Sequence, residues 1–151
     1  MERFIADEML GTVARWLRIL GFDTLYAKGM DDSDILEVAE KDGRIILTRD
    51  RELHGRALRR GIESVYLESA DLEKDLGAIL EEHRPDPSMF MSRCTLCNTL
   101  LKEVSKEDAR GRVPEGVYER HDDFRYCPKC DKFYWKGSHH ERMSEFLRRF
   151  A

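Results

Sequence analysis

Short β-rich runs alternate with amphipathic helical stretches through the first 83 residues, and that alternation leaves few folds open. The runs cover residues 3–6, 23–27, 44–48 and 62–67. Helical patterns occupy 9–20, 33–41, 51–60 and 71–83. In the first helix Leu10, Val13, Ala14, Leu17 and Leu20 recur at helical spacing, and in the last Leu72, Leu76, Ile79 and Leu80 do the same; each stripe predicts one buried face. Gly21 sits where a helix C-terminus favours glycine, and Ser33 is a candidate N-cap for the second helix. Strands that alternate with helices pair in parallel, so the fold class is α/β with a three-layer parallel sheet.

Two of the strand runs stop at an acid. Phe4-Ile5-Ala6 ends at Asp7, and Ile45-Ile46-Leu47-Thr48-Arg49 ends at Asp50. In an open parallel sheet the carboxyl ends share one edge, and ligands bind beyond it. With Asp32 and Asp34 near the start of the second helix, four carboxylates can meet there, and such a cluster needs a divalent cation. Taken singly each has a plainer role: Asp50 before a helix suits an N-cap, and Asp32 and Asp34 suit a loop. Only the set points to metal.

Composition narrows the class further. No apolar run approaches the roughly 20 residues of a membrane span, and the chain enters its first strand by residue 3 with no signal peptide visible, so a cytoplasmic protein is expected. The net charge of −4 conceals an asymmetry: residues 1–88 carry 13 Lys+Arg against 20 Asp+Glu, and residues 89–151 carry 13 against 10. An acidic half able to hold cations beside a basic half able to hold phosphates is one reading; solvated surface charge is the other.

Pro85-Asp86-Pro87-Ser88 breaks the last helix, and the texture changes beyond it. The expected division is residues 1–86 and residues 87–151. The second part holds all four cysteines as two C-x-x-C pairs, Cys94/Cys97 and Cys127/Cys130. Two such pairs complete a tetrahedral all-sulfur zinc site, closed to water and hence structural. Asn98 and Asp131, directly after each pair, tolerate the left-handed backbone that such turns often require. Disulfides lack support from any sign of an oxidising compartment, and His121, His139 and His140 are unnecessary as ligands once four thiolates are present. The 29 residues between the pairs call for an inserted hairpin or loop.

Phe4-Ile5-Ala6-Asp7-Glu8-Met9-Leu10-Gly11 and Ala14-Arg15-Trp16-Leu17-Arg18-Ile19-Leu20-Gly21 resemble the opening of the Mut-seven C-terminal family of PIN-like domains. Asp32-Ser33-Asp34, Leu47-Thr48-Arg49-Asp50-Arg51 and Tyr134-Trp135-Lys136-Gly137-Ser138-His139 are similar to the same family in order and spacing. The resemblance spans nearly the whole chain, zinc ribbon included. It implies a PIN-like fold and an RNase that holds Mg²⁺ or Mn²⁺ on acids at the carboxyl edge of the sheet. By motif Asp7 and Asp50 match the strand-end acids, and Asp34 the middle one, with Asp32 its competitor. The fourth acid is unassigned, with Glu8 and Glu52 the nearest candidates.

That chemistry stands apart from the family name. Phosphodiester hydrolysis needs a nucleophilic water and charge stabilisation on the departing oxygen, and carboxylate-held hard cations supply both. Thr48 can orient Asp50 through its hydroxyl. Arg15, Arg18, Arg49, Arg51 and Lys136 are candidates for gripping phosphates, against a solvated-surface reading. Lys129, Lys132, Arg142, Arg148 and Arg149 mix with Phe133, Tyr134 and Trp135, a combination suited to RNA or, for the aromatics, to the ribbon's own core. Trp16 reads as packing, and residues 140–150, with Met143, Phe146, Leu147 and Phe150, as a helix docked on a neighbouring domain. The rivals to a metal-dependent ribonuclease are a catalytically silent RNA- or protein-binding module and a receiver-like phosphoryl domain. The ribbon and the lack of a lysine at a later strand end count against the latter.

Overall fold

The computed structural model describes residues 1–149 except the side chain of His139. That side chain and Phe150, the last apolar residue expected in the C-terminal helix, lie outside the described residues. Four parallel strands, β1 (Arg3–Ala6), β2 (Asp23–Tyr26), β3 (Ile45–Thr48) and β4 (Ser64–Tyr66), form a sheet in the order β2-β1-β3-β4. Helices α1 (Gly11–Ile19), α2 (Asp32–Asp42), α3 (Arg51–Arg59) and α4 (Leu72–Glu82) cover its two faces.

Strand alternation sorts the core into two layers. Phe4, Ala6, Ile45 and Leu47 face one way and pack with Val13, Leu17, Leu76 and Ile79 of α1 and α4. Ile5 and Ile46 face the other way, onto Ile35, Leu36, Leu53 and Ala57 of α2 and α3. All five residues of the α1 stripe are buried, as are Leu76, Ile79 and Leu80 of α4; each Leu, Ile or Val among them contributes about 1.5–3 kcal/mol on removal from water. One start differs from expectation. Asp31, not Ser33, caps α2, its carboxylate accepting the Asp34 N–H at 2.8 Å, so the helix begins one residue earlier than the pattern suggests.

The chain continues through a 3-10 turn at Pro87–Met89 to a second, antiparallel sheet of β5 (Lys102–Val104), β6 (Phe124–Cys127) and β7 (Lys132–Tyr134), ordered β5-β6-β7. The long insertion between the cysteine pairs is the antiparallel pair β5 and β6 with two short helices in the connection between them. It carries α5 (Lys106–Ala109) and α6 (Glu115–Arg120), because Ser105 and Asp108 form a reciprocal capping box and Pro114 starts the second helix. Ala109, Phe124 and Phe133 form a small local core, with Trp135 packed against it. The C-terminal helix α7 (Ser138–Arg148) docks as expected: Met143 is buried, Phe146 and Leu147 join the main core, and Arg149 pairs with Glu73 on α4 at 3.1 Å. Among the described residues no helix is long and apolar enough to cross a membrane.

The two sheets are joined by more than a linker. Met91 donates its N–H to Ile19 O at 2.9 Å, and Gly21 closes α1 at φ +95°, where an added Cβ would lie 2.4 Å from Met89 O. Met91, Cys94, Cys127 and Tyr134 belong to the same apolar cluster as Leu17 and Leu20. At the exposed edge of the first sheet, Asn98 accepts the Thr24 N–H at 3.0 Å and donates to Asp23 Oδ1 at 2.7 Å. Asp23 also receives Arg44 at 2.9 Å, and Arg44 is buried with a further bond to Phe4 O.

Burial alone would raise the Asp23 carboxyl, but hydrogen bonds from Arg44 and Asn98 and the charges of Arg44 and Arg93 hold it below the usual carboxylate range. A depressed folded-state pKa contributes stability that is complete above the unfolded value, about 3.9, and is lost as pH falls through the lower folded value. Asp23→Asn should therefore be less stable at neutral pH and show a flatter loss of stability below about pH 4. Circular dichroism across an acid series checks this; an unchanged slope would contradict it.

Candidate active site and zinc ribbon

In the order β2-β1-β3-β4 the chain leaves β1 to one side for β2 and to the other for β3, which makes the carboxyl ends of β1 and β3 the switch point where ligands bind. Asp7 follows β1 directly, and Asp50 lies two residues beyond β3. The two are joined through Thr48, which is fully buried. Its hydroxyl donates to Asp7 Oδ2 and accepts the Asp50 N–H at 2.9 Å. Sequence reasoning tied Thr48 to the Asp50 carboxylate; the hydroxyl instead orients Asp7, because parallel pairing sets β3 beside β1.

Asp7 is mostly buried and tightly held. Its Oδ1 accepts the Met9 N–H at 2.9 Å, which starts the 3-10 turn Glu8–Leu10, and Oδ2 also takes the Arg49 N–H at 3.4 Å. Asp50 is exposed and caps α3 as the sequence allowed. Both described bonds to its carboxylate, from Glu52 N at 2.8 Å and Leu53 N at 3.3 Å, end on Oδ1.

The choice between the two middle acids turns on electrostatics. Burial raises the Asp32 carboxyl above its ordinary value, and the charges of Asp50 and Glu52 push it the same way against the pull of Arg56, 3.9 Å away. Asp32 thus shares a field with Asp50 and Glu52. Asp34 is exposed, and among the described residues no hydrogen bond or ion pair joins its carboxylate to Asp7 or Asp50. Glu8 and Glu52 are exposed in the first turns of their helices. Among the described residues the group of side chains placed to hold a metal ion together is the four cysteines, whose sulfurs lie within 4.8 Å of one another. Of the acids Asp7 is buried and Asp32 half-buried, and carboxylate oxygens are hard donors of the type that Mg²⁺ or Mn²⁺ takes alongside several waters.

The candidate phosphate-binding cations divide. Arg18 is buried and donates to Thr24 O and Thr95 O, both at 2.9 Å, so it ties β2 to the first cysteine turn and is not available to a ligand. Arg49 turns away from the acids, donating to Ser69 O and pairing at 2.7 Å with the buried Asp75. Their long-range partners were invisible along the chain. Arg49→Ala would strand the Asp75 carboxylate, and it should lower unfolding free energy by about 2–3 kcal/mol, below the usual range for a buried pair because Arg49 is partly exposed. Denaturant unfolding measures this; a change under 0.5 kcal/mol would refute that role. Arg51 stays at the sheet edge, its Nε donating to Tyr66 Oη at 3.2 Å. Tyr66 ends β4 beside Thr48, a position that apolar patterning did not single out. Arg15 is exposed on α1, and Lys136 is exposed beyond β7, next to Asp123 and Arg125.

The cysteine arrangement follows the sequence expectation closely. Asn98 and Asp131 adopt φ +73° and +52°, the left-handed turns anticipated after each pair. The thiols are free, and Cys97 and Cys127 Sγ lie 3.5 Å apart. Burial opposes ionisation of Cys97, yet the hydroxyl and N–H of Thr99 lower it to about 6, while hydrogen bonding to Cys97 and burial push Cys130 up to about 12. Four thiols this close cannot all ionise without a cation among them, so the set can hold one ion such as zinc. His121 and His140 stand outside the group.

The human exonuclease mut-7 homolog is 34% identical to the chain over 103 residues, which are 64% of this chain and 12% of that protein. The chain thus corresponds to a small part of its human relative. A family model described as the Mut7-C RNAse domain matches residues 2–147, nearly the full length over which both sheets, the aspartates and the four cysteines are distributed, and the chain belongs to that family.

Proposed function

We propose that this protein is a metal-dependent ribonuclease that hydrolyses RNA phosphodiester bonds at Asp7, Asp50 and Asp32, with one zinc in the four-cysteine ribbon. The observation that carries the reading is the buried Thr48 hydroxyl, which links the Asp7 carboxylate to the Asp50 backbone at the switch point of a parallel sheet. The family and the human relative support a nuclease-type function.

Mg²⁺ or Mn²⁺ held by these acids would lower the pKa of a coordinated water and offset charge on the departing oxygen. Asp7 would hold the ion from a single rotamer, since Thr48, Met9 and Arg49 fix its two oxygens. Asp50 offers Oδ2, and Asp32, whose carboxyl is raised by burial and by the charge of Asp50, serves as the third acid, with Asp34 its competitor. Arg51, steadied by Tyr66, faces the same edge and suits a phosphate. Four sulfur ligands leave no open position, so the ribbon's zinc organises structure and RNA contact rather than chemistry. Incubating the full chain with structured and single-stranded RNAs in Mg²⁺, Mn²⁺ or chelator tests the proposal. Metal-dependent cleavage supports it; binding without cleavage under every condition would leave a silent binding module.

A further inference from the structure

The zinc ribbon does not dock flush against α1. A groove of about 320 Å³ separates them, lined by Arg15 and Ile19 of α1, Leu96 of the first cysteine turn and Lys132, Phe133 and Trp135 of the last strand and its exit. That volume falls at the small end of ligand pockets, the scale of one nucleotide rather than a folded partner. None of the residues lining it is acidic, in a chain with 30 Asp+Glu and a net charge of −4. Its two charges, Arg15 and Lys132, are both cations with exposed side chains, and Lys132 Nζ is held 5.2 Å over the Tyr134 ring. The wall between them is aromatic. Trp135 is half-buried, and its indole lies close to Gly137, where an added Cβ would sit 3.1 Å from Nε1 and crowd the ring.

Two cations flanking aromatic faces suit an unpaired nucleotide, whose phosphate takes the charges and whose base takes the ring. A duplex keeps its bases stacked inside and cannot use such a wall. The groove is also within reach of the acids. Arg15 is one turn beyond Gly11, about 6 Å along the helix, and Asp7 stands just before that helix begins. A strand laid along α1 would therefore meet the groove and the carboxylates together.

We propose that the groove between α1 and the ribbon holds an unpaired RNA nucleotide flanking the cleaved bond, its phosphate on Arg15 and Lys132 and its base against Trp135. This rests on the ribonuclease reading and makes it specific for RNA with a single-stranded segment at the site.

The test measures binding of the full zinc-loaded chain to an unstructured oligoribonucleotide by fluorescence anisotropy, in buffer free of Mg²⁺ and Mn²⁺. An Arg15→Gln/Lys132→Gln double variant should bind about 5- to 20-fold more weakly and lower the slope of log affinity against log salt by about 1.4, two single-strand phosphate contacts. Arg15→Lys should recover most of the affinity lost in Arg15→Gln. Trp135→Leu should weaken binding without moving the salt slope; if it fails to fold, the double variant, altered only at exposed side chains, decides alone. Blunt duplex RNA should show less than a twofold change in all variants. Unchanged single-strand binding in the double variant, an equal loss on duplex, or competition by a polyglutamate peptide as strong as by the oligonucleotide would each overturn the proposal. The two readings fail differently. Groove-dependent binding with no cleavage in Mg²⁺ or Mn²⁺ removes the ribonuclease and keeps the groove; cleavage with an indifferent groove does the reverse.

Discussion

Asp7→Asn is expected to abolish RNA cleavage, by a factor of at least several hundred, while the protein remains folded. Losing even a group that merely supports a metal ligand costs 10- to 100-fold, and Asp7 is the most firmly placed of the acids. Asparagine keeps an oxygen that can accept from Met9 or Thr48, so the 3-10 turn and the strand pairing survive. What disappears is the negative charge. The variant should therefore melt within a few degrees of the wild type, and raising Mg²⁺ or Mn²⁺ should not restore turnover. Single-turnover kinetics on a labelled RNA, with thermal melting alongside, would show both. Cleavage by Asp7→Asn within threefold of the wild-type rate would remove Asp7 from the chemistry.

Loss of the ribbon's metal should have the largest effect on stability. Zinc held by thiolates contributes about 10–16 kcal/mol of apparent binding energy in small metal-folded peptides, and here the site is welded to the main core. Cys94 and Cys127 are fully buried in the cluster that contains Leu17 and Leu20, and the Asn98 side chain covers the open edge of β2. Releasing the ion exposes that surface and frees Arg18 and Tyr134 from their partners at Thr95. Cys97→Ser should lose about one equivalent of zinc and at least about 5 kcal/mol of stability, a fall in Tm of roughly 10–20 °C for a chain of this size. Calorimetry with metal analysis measures both. At low temperature, where the variant stays folded, cleavage should persist, because the ribbon's zinc has no open coordination position. Loss of zinc without loss of stability would contradict the structural assignment.

Much of this was legible in the sequence because it is local. The stripe of Leu10, Val13, Ala14, Leu17 and Leu20 needs only helical periodicity, and Asp7 and Asp50 need only the rule that strands end where apolar runs stop. Asn98 and Asp131 were readable because a two-thiolate turn constrains the residue that follows it. What escaped depends on partners distant in sequence. Arg18 and Arg49 lie beside the acids along the chain, yet Thr95 and Asp75 claim them in space. The cap of α2 was also misplaced: Asp31 rather than Ser33 holds it, and an Asp three residues before Asp34 was the available clue. The division at residue 86 falls between the two sheets, and across it Met91, Cys94 and Tyr134 pack in the same cluster as Leu17 and Leu20.

Asp7 and Asp50 are proposed to hold a catalytic cation at the switch point between β1 and β3. Anomalous diffraction from crystals soaked in Mn²⁺ tests this most directly. The account predicts a manganese peak contacted by Asp7 and Asp50 Oδ2, with Asp32 rather than Asp34 as the nearest third carboxylate. Saturating Mn²⁺ that leaves this edge empty, or that gathers at Asp34 away from Asp7, would contradict it.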